Sequence, residues 1–192
     1  MEIINAVPED APLIAKAIMT AVGTEICENM AGENHSLDDV AKLFTELAGR
    51  NDSQYSWRNT RIAVVEDGKK AGVCVCYDGK DLKKLRRSFF ELTNKMFGWG
   101  LSEEEIENIP EETKAGEYYL DSLMVLPEYR KRGIASALIE DAHTKARSEG
   151  LPLGLLVDPD NPQARHLYDS LGFKQVDIRP FAGVDMNHLL LD

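Results

Sequence analysis

The residues best suited to chemistry begin at Arg130-Lys131-Arg132-Gly133-Ile134-Ala135. They follow an aromatic and aliphatic run, Tyr118 to Leu126, whose one charged member is Asp121. That run reads as a largely buried strand, and Pro127 ends it because proline has no N–H to give to a ladder. From there Ile134, Leu138, Ala142 and Ala146 recur every four residues, the stripe of an amphipathic helix. A strand that turns into a basic, glycine-containing helix start is an anion site. The amides of the first helical turn lack internal partners, and Gly133 has no side chain to hold a phosphate away. Arg130, Lys131 and Arg132 are offset locally only by Glu128, on a chain whose formal net charge is −11. A positive loop on an acidic protein favours a phosphate-bearing ligand.

Asp121 is the second candidate. A carboxylate inside an apolar strand has its pKa raised toward the range useful to a general base. A structural hydrogen bond, or exposure at a strand bulge, accounts for it equally well, and Glu117 stands in reserve as a base. The three cysteines read as reduced thiols. Cys74 and Cys76 share one strand face with no further ligands near by, so they are small core side chains rather than a metal site. His35, His143, His166 and His188 lack metal-ligand spacing, and His143 and His166 read as surface positions of helices. No metal is expected. Walker, dinucleotide-binding, nucleophile-elbow and zinc-protease motifs are absent from the sequence.

These candidates need a frame. Ile3 to Val7 reads as a first strand, and a helix follows Pro8 with Leu13, Ile14, Ala17, Ile18 and Ala21 as its apolar stripe. Ser36 and Asp39 form a capping signature for a second helix that stops near Gly49, and 51–59 is a loop. Arg61–Val65 and Ala71–Tyr77 flank Asp67-Gly68 as a hairpin. The stretch 79–116 is helical in pattern: either an amphipathic segment with a solvated basic face or a substrate wall placed between two strands. The Gly133 helix ends at Gly150, and Leu153–Val157 completes a parallel crossover. Asn161-Pro162 is a cap followed by a first-turn proline, opening a short helix with Ala164, Leu167, Tyr168 and Leu171 on its buried side. Phe173–Ile178 and Met186–Leu191 add the last strands.

With 192 residues, 43% of them hydrophobic and 29% charged, the chain reads as one globular domain with a sizeable core. No apolar run is long enough to span a bilayer, and no leader pattern precedes the first strand, so the expected location is cytoplasmic and no membrane partner is expected. The acidic balance argues against nucleic acid and suits a cationic substrate. The oligomeric state is open, a dimer included.

Two motifs coincide within this frame. Arg130 to Ala135 fits Gln/Arg-x-x-Gly-x-Gly/Ala, and Asn161 to Phe173 fits Asn-x-x-Ala-x-x-x-Tyr-x-x-x-Gly-Phe. In this order, one crossover apart, they resemble the GNAT superfamily of acetyl-CoA-dependent N-acetyltransferases, strongly from Tyr118 to Phe173 and more loosely before it. The resemblance implies an α/β fold: a central mixed, mostly antiparallel sheet with splayed parallel central strands, flanked by helices, with 79–116 as an insertion. It implies that backbone groups of Met124 and Val125 pair with the pantetheine arm. The amides of Arg130 to Ala135 would hold the pyrophosphate, and Asn161 would bond the pantetheine. A backbone N–H near Met124 would face the oxyanion, and Tyr168 would be the acid for the departing thiolate. Family members that acetylate protein N-termini often carry a glutamate where this chain has Leu156, so that subgroup is disfavoured. The acceptor implied is an amine of a small molecule or peptide, shaped by the first two helices, the loop around Tyr55 and Trp57, and 79–116. A non-catalytic acyl-CoA-binding domain, with Tyr168 a core aromatic, is the alternative.

Overall fold

The computed structural model describes residues 1–192. Seven strands make one sheet in the order β1-β2-β3-β4-β5-β7-β6. They are β1 (Glu2–Asn5), β2 (Thr60–Val64), β3 (Lys70–Asp78), β4 (Tyr118–Val125), β5 (Leu153–Val157), β6 (Lys174–Phe181) and β7 (Val184–Leu191). Every neighbouring pair is antiparallel except β4 and β5, which run parallel. No helix is long and apolar enough to cross a membrane.

Helices cover both faces. On one side lie α1 (Ala11–Val22), α2 (Thr24–Ala31), α3 (Leu37–Gly49) and α5 (Arg87–Phe97), packed with Ile62, Val73, Val75 and Met124 of the sheet. On the other lie α7 (Ile134–Ser148) and α8 (Pro162–Ser170), packed with Cys74, Cys76, Leu120 and Leu155. Alternation along β3 divides its residues between these cores: Val73 and Val75 face one way, Cys74 and Cys76 the other. Gly72 allows the second layer to sit close. A Cβ there would lie 2.9 Å from Ile134 and 3.0 Å from Leu138, so its absence lets the start of α7 rest on β3.

Two irregularities of β4 define the site. The first is a bulge: Val75 pairs with Ser122 and Cys76 with Leu120, which leaves Asp121 as the extra residue. The bulge shifts the side-chain parity, so that Leu120 and Leu123 both reach the α7 core although they are three residues apart. The second is a splay. β4 and β5 pair only at Tyr118–Leu153, Tyr119–Gly154 and Leu120–Leu155. Beyond them β4 stays with β3 to Val125, while β5 stays with β7 to Val157. The gap opens at Asp121.

The Ser36–Asp39 capping box forms, with the Ser36 Oγ accepting from the Asp39 N–H and the Asp39 carboxylate accepting from the Ser36 N–H at 3.0 Å. The sequence reading runs past α2, whose eight residues mix Glu25, Glu28 and Thr24 with few apolar positions. The stretch 79–116 holds three short helices, α4 (Leu82–Leu85), α5 and α6 (Glu103–Asn108). Its basic residues are not simply solvated. Lys83 and Arg87 pair with Glu107 and Glu103 of α6, and Arg86 is buried with its guanidinium donating to the carbonyls of Ile109 and Pro110 at 2.9 and 3.1 Å. His143 also departs from expectation. It is buried rather than on the surface, and its Nε2 donates to the Asp192 carbonyl at 3.0 Å, because α7 packs against the chain's end.

Candidate active site

The splay is the mouth of a cleft of about 690 Å³ between β4, the start of α7 and α8. Met124, Val125, Arg130, Lys131, Gly133, Ile134 and Ala135 line one side of it, and Asn161 and Tyr168 line the other. Residues from two motifs about 30 positions apart thus face one space. Arg132 lies outside it: its guanidinium sits 5.4 Å from the Tyr129 ring and donates to the Glu128 carbonyl, which fixes the loop.

The cradle is built by backbone geometry. Lys131 and Gly133 both have left-handed φ angles, 60° and 76°, which turn the chain sharply before α7. At Gly133 this conformation is free of the Cβ penalty that other residues meet. No side chain caps α7, and its first backbone bond runs from the Ala137 N–H to the Gly133 carbonyl. The amides of Ile134, Ala135 and Ser136 therefore remain to be satisfied by an anion at the positive end of a 15-residue helix. Arg130, Lys131 and Arg132 form no ion pairs, so the positive potential is uncompensated. Arg130 Nε donates to the Val125 carbonyl at 3.2 Å, tying the loop to the end of β4 and engaging one of the groups expected to meet the pantetheine.

On the opposite wall Asn161 Oδ1 accepts from the Ala164 N–H at 3.0 Å, capping α8. Its carbonyl oxygen is thereby fixed in place, and its Nδ2, which has no protein partner, is left for a ligand. Tyr168 is buried, edge-on to Phe173 with ring centroids 5.5 Å apart. Burial, with smaller contributions from Cys74 and Cys76, pushes the phenol well above its usual pKa and keeps it protonated.

Asp121 lies behind the splay, deep in the protein but not sealed. Tyr77 Oη and Ser122 Oγ donate to it at 2.8 Å each, and Gln54 Nε2 at 3.3 Å. Burial raises its pKa, and the bonds from Ser122, Tyr77 and Gln54 oppose the rise. Glu117 is arranged differently. Arg179, His188 and Thr113 donate to it at 2.7, 2.6 and 2.7 Å. Burial acts to raise its pKa, but these bonds overcome it and hold the carboxyl at about 2. Glu117 is fully occupied and joins β4 to the β6–β7 hairpin. Leu156 packs against Tyr77, Leu82 and Tyr119.

A second cavity, of about 470 Å³, lies on the α1–α3 side. The ends of α1 and α2, Tyr55, the α5 aromatics, the segment before β4 and the β6–β7 turn all contribute to its wall. Trp57, grouped with Tyr55 in the sequence reading, is not in that wall; Arg58 stacks on it at 4.7 Å. Sequence reasoning missed Gln54 and Glu112. Gln54 looks like one polar residue of a loop, and Glu112 like one of many acids.

The model of the acetyltransferase (GNAT) family matches residues 28–173. A crystal structure of an acetyltransferase is 30% identical with a TM-score of 0.74, covering 100% of this chain and 99% of its own. An N-acetyltransferase from Staphylococcus aureus Mu50 is 23% identical with a TM-score of 0.79 and full coverage of both chains (100% each), and shares the fold. A search of curated proteins gives no match. With the splayed strands, the α7 cradle and a family match over most of its length, the chain belongs to the GNAT family of acetyltransferases.

Proposed function

We propose that this protein is an N-acetyltransferase that moves an acetyl group from acetyl-CoA to a primary amine of a small molecule or peptide by direct attack. The observation that carries the reading is the convergence of the open edge of β4, the unpartnered amides of α7 and the Tyr168 phenol on one cleft. The amides from Ile134 to Ser136, with Arg130 and Lys131 beside them, receive the pyrophosphate. Asn161 Nδ2 and the backbone of Val125 hold the pantetheine, with Arg130 leaving the Val125 carbonyl as it does so; the backbone groups of Met124, expected to share this role, are turned to Val73 of β3. Acetyl-CoA supplies a thioester activated toward nitrogen.

Transfer needs three further things from the chain. The N–H expected to meet the developing oxyanion, that of Met124, is turned to Val73 of β3, since the Leu126–Ala71 bond lies two positions away; the Leu123 N–H, on the open side of β4, faces the oxygen on which charge develops. Asp121 takes the proton that the amine nitrogen loses as the C–N bond forms. Tyr168 gives its phenolic proton to sulfur as the C–S bond breaks. Glu117 is withdrawn from the bases, because its carboxylate is already committed to Arg179 and His188. The reading places the enzyme in the cytoplasm as a single domain, with 79–116 as an insertion walling the acceptor side and no metal, membrane or nucleic-acid partner.

Purified protein incubated with acetyl-CoA and a broad amine panel tests this by release of free thiol. Amine-dependent thiol release supports transfer. Binding of acetyl-CoA with no release from any amine would favour a non-catalytic acyl-CoA-binding domain.

A further inference from the structure

The cavity on the α1–α3 side has a composition that names its ligand. Its wall is mostly apolar, with aromatic side chains prominent in it: Phe44, Tyr55, Phe89, Phe90, Trp99 and Phe181. Two polar acceptors stand in it, one without a partner and one in no ion pair. Gln54 is buried, and its Oε1 has no hydrogen-bond partner, because its amide nitrogen is turned to Asp121. Glu112 is buried to 8% exposure and forms no ion pair. A buried acceptor left unmet is costly in a folded protein unless a ligand or water supplies the donor. The one cation in the wall, Arg86, already donates to the carbonyls of Ile109 and Pro110, so the cavity is poor at receiving a carboxylate. Two acceptors, one of them acidic, surrounded by aromatic faces suit an ammonium group with an attached ring.

One side chain connects this cavity to the base proposed for transfer. Gln54 both lines it and bonds Asp121, the bulge residue at which β4 and β5 part. Resting on the acetyl-transfer reading above, we propose that the acceptor is a compact primary amine bearing an aromatic ring and no carboxylate. Its nitrogen is received by Glu112 and Gln54, and its ring by Phe89 and Trp99. The volume holds a molecule of about ten heavy atoms with room to spare but not a folded protein surface. Burial, and then the nearby Asp121 charge, pushes the Glu112 carboxyl up to about 7, against Arg86 and Gln54, which act to lower it. Glu112 therefore carries its charge at mildly alkaline pH, where an amine is still cationic; the ammonium gives one proton to Glu112 to free its lone pair, and the second passes to Asp121 as the C–N bond forms.

The test uses the full chain, with 2-phenylethylamine as the probe, phenylalanine and a lysine-containing peptide as comparators, and two readouts. Calorimetry reports binding at pH 8, and thiol release from acetyl-CoA reports transfer. We expect 2-phenylethylamine to bind and to drive thiol release, with phenylalanine and the peptide each weaker by about tenfold or more. Glu112→Gln should weaken 2-phenylethylamine by a similar factor, and Phe89→Ala should weaken it while sparing acetyl-CoA affinity. Equal affinity for phenylalanine, or undiminished binding in Glu112→Gln, would overturn the assignment. Thiol release with the peptide but none with 2-phenylethylamine would overturn it too, while leaving acetyl transfer intact. Conversely, binding of 2-phenylethylamine without thiol release from any amine would support the pocket and remove the transfer reading.

Discussion

Glu112 offers a prediction that does not depend on any ligand. Its carboxyl is buried, in no ion pair and displaced from 4.5 to about 7, because burial outweighs its own backbone N–H, Arg86 and Gln54, so ionising it in the folded protein is harder than in the unfolded chain. A group whose folded pKa is raised contributes no cost below the unfolded value. Its cost grows as pH rises from 4.5 and levels off above the folded value. At 1.36 kcal/mol per pH unit the displacement corresponds to about 3 kcal/mol, an upper figure because a buried site relaxes and admits water. Glu112→Gln keeps the shape and removes the charge. Its stability relative to the wild type should therefore improve between pH 4 and pH 8, by up to about 3 kcal/mol. For a chain of this size that is up to about 10 °C in Tm. Urea melts of both proteins at a series of pH values measure the difference directly, and the midpoint is the quantity to follow if the slopes agree. A difference that stays flat from pH 4 to pH 8 would refute the claim that burial of Glu112 outweighs the groups that favour its charge. A gain in stability together with a loss of amine affinity is the pattern expected of a site held ready for a cation.

Other outcomes follow from the same geometry. Gly133→Glu should abolish acetyl-CoA binding, since it places a bulky anion at the cradle and a side chain on a left-handed φ of 76°; micromolar affinity retained in calorimetry would sink the phosphate-cradle argument. Glu117 should make the fold acid-sensitive. Its carboxyl is held at about 2 against 4.5, so stability present above 4.5 is lost as pH falls through that window, and Glu117→Gln should lack this loss in acid melts. The KM for the amine should rise as pH falls below about 7, where Glu112 loses its charge amid Asp121, Arg86 and the phenols of Tyr55, Tyr77 and Tyr119. A pH-independent KM would remove Glu112 from amine recognition.

What could be read from the sequence was whatever depends on local chain geometry. Pro127 and Gly133 fix a strand end and a helix start by what their backbones can do, and Asn161-Pro162 does the same for α8. The hairpin around Asp67-Gly68 and the Ser36 cap are equally local. What could not be read depends on pairing across the sheet or on burial set by distant segments. The bulge that isolates Asp121 is a register difference between β3 and β4, invisible in either strand alone. His143 lies on an ordinary amphipathic helix, yet the C-terminal residue covers it. Arg86 sits among Lys83, Lys84 and Arg87 in sequence, and only the fold separates the buried cation from the solvated ones. Gln54 and Glu112 lie 58 residues apart, which is why the acceptor cavity had no motif to announce it.

The most direct test of the account is single-turnover thiol release by Tyr168→Phe at saturating acetyl-CoA, set beside its acetyl-CoA affinity. Loss of the phenolic proton should slow transfer by about 10²–10⁴-fold while affinity stays within a few fold, because the ring still packs on Phe173. Transfer at the wild-type rate would remove Tyr168 from the chemistry and with it the mechanism proposed for this cleft.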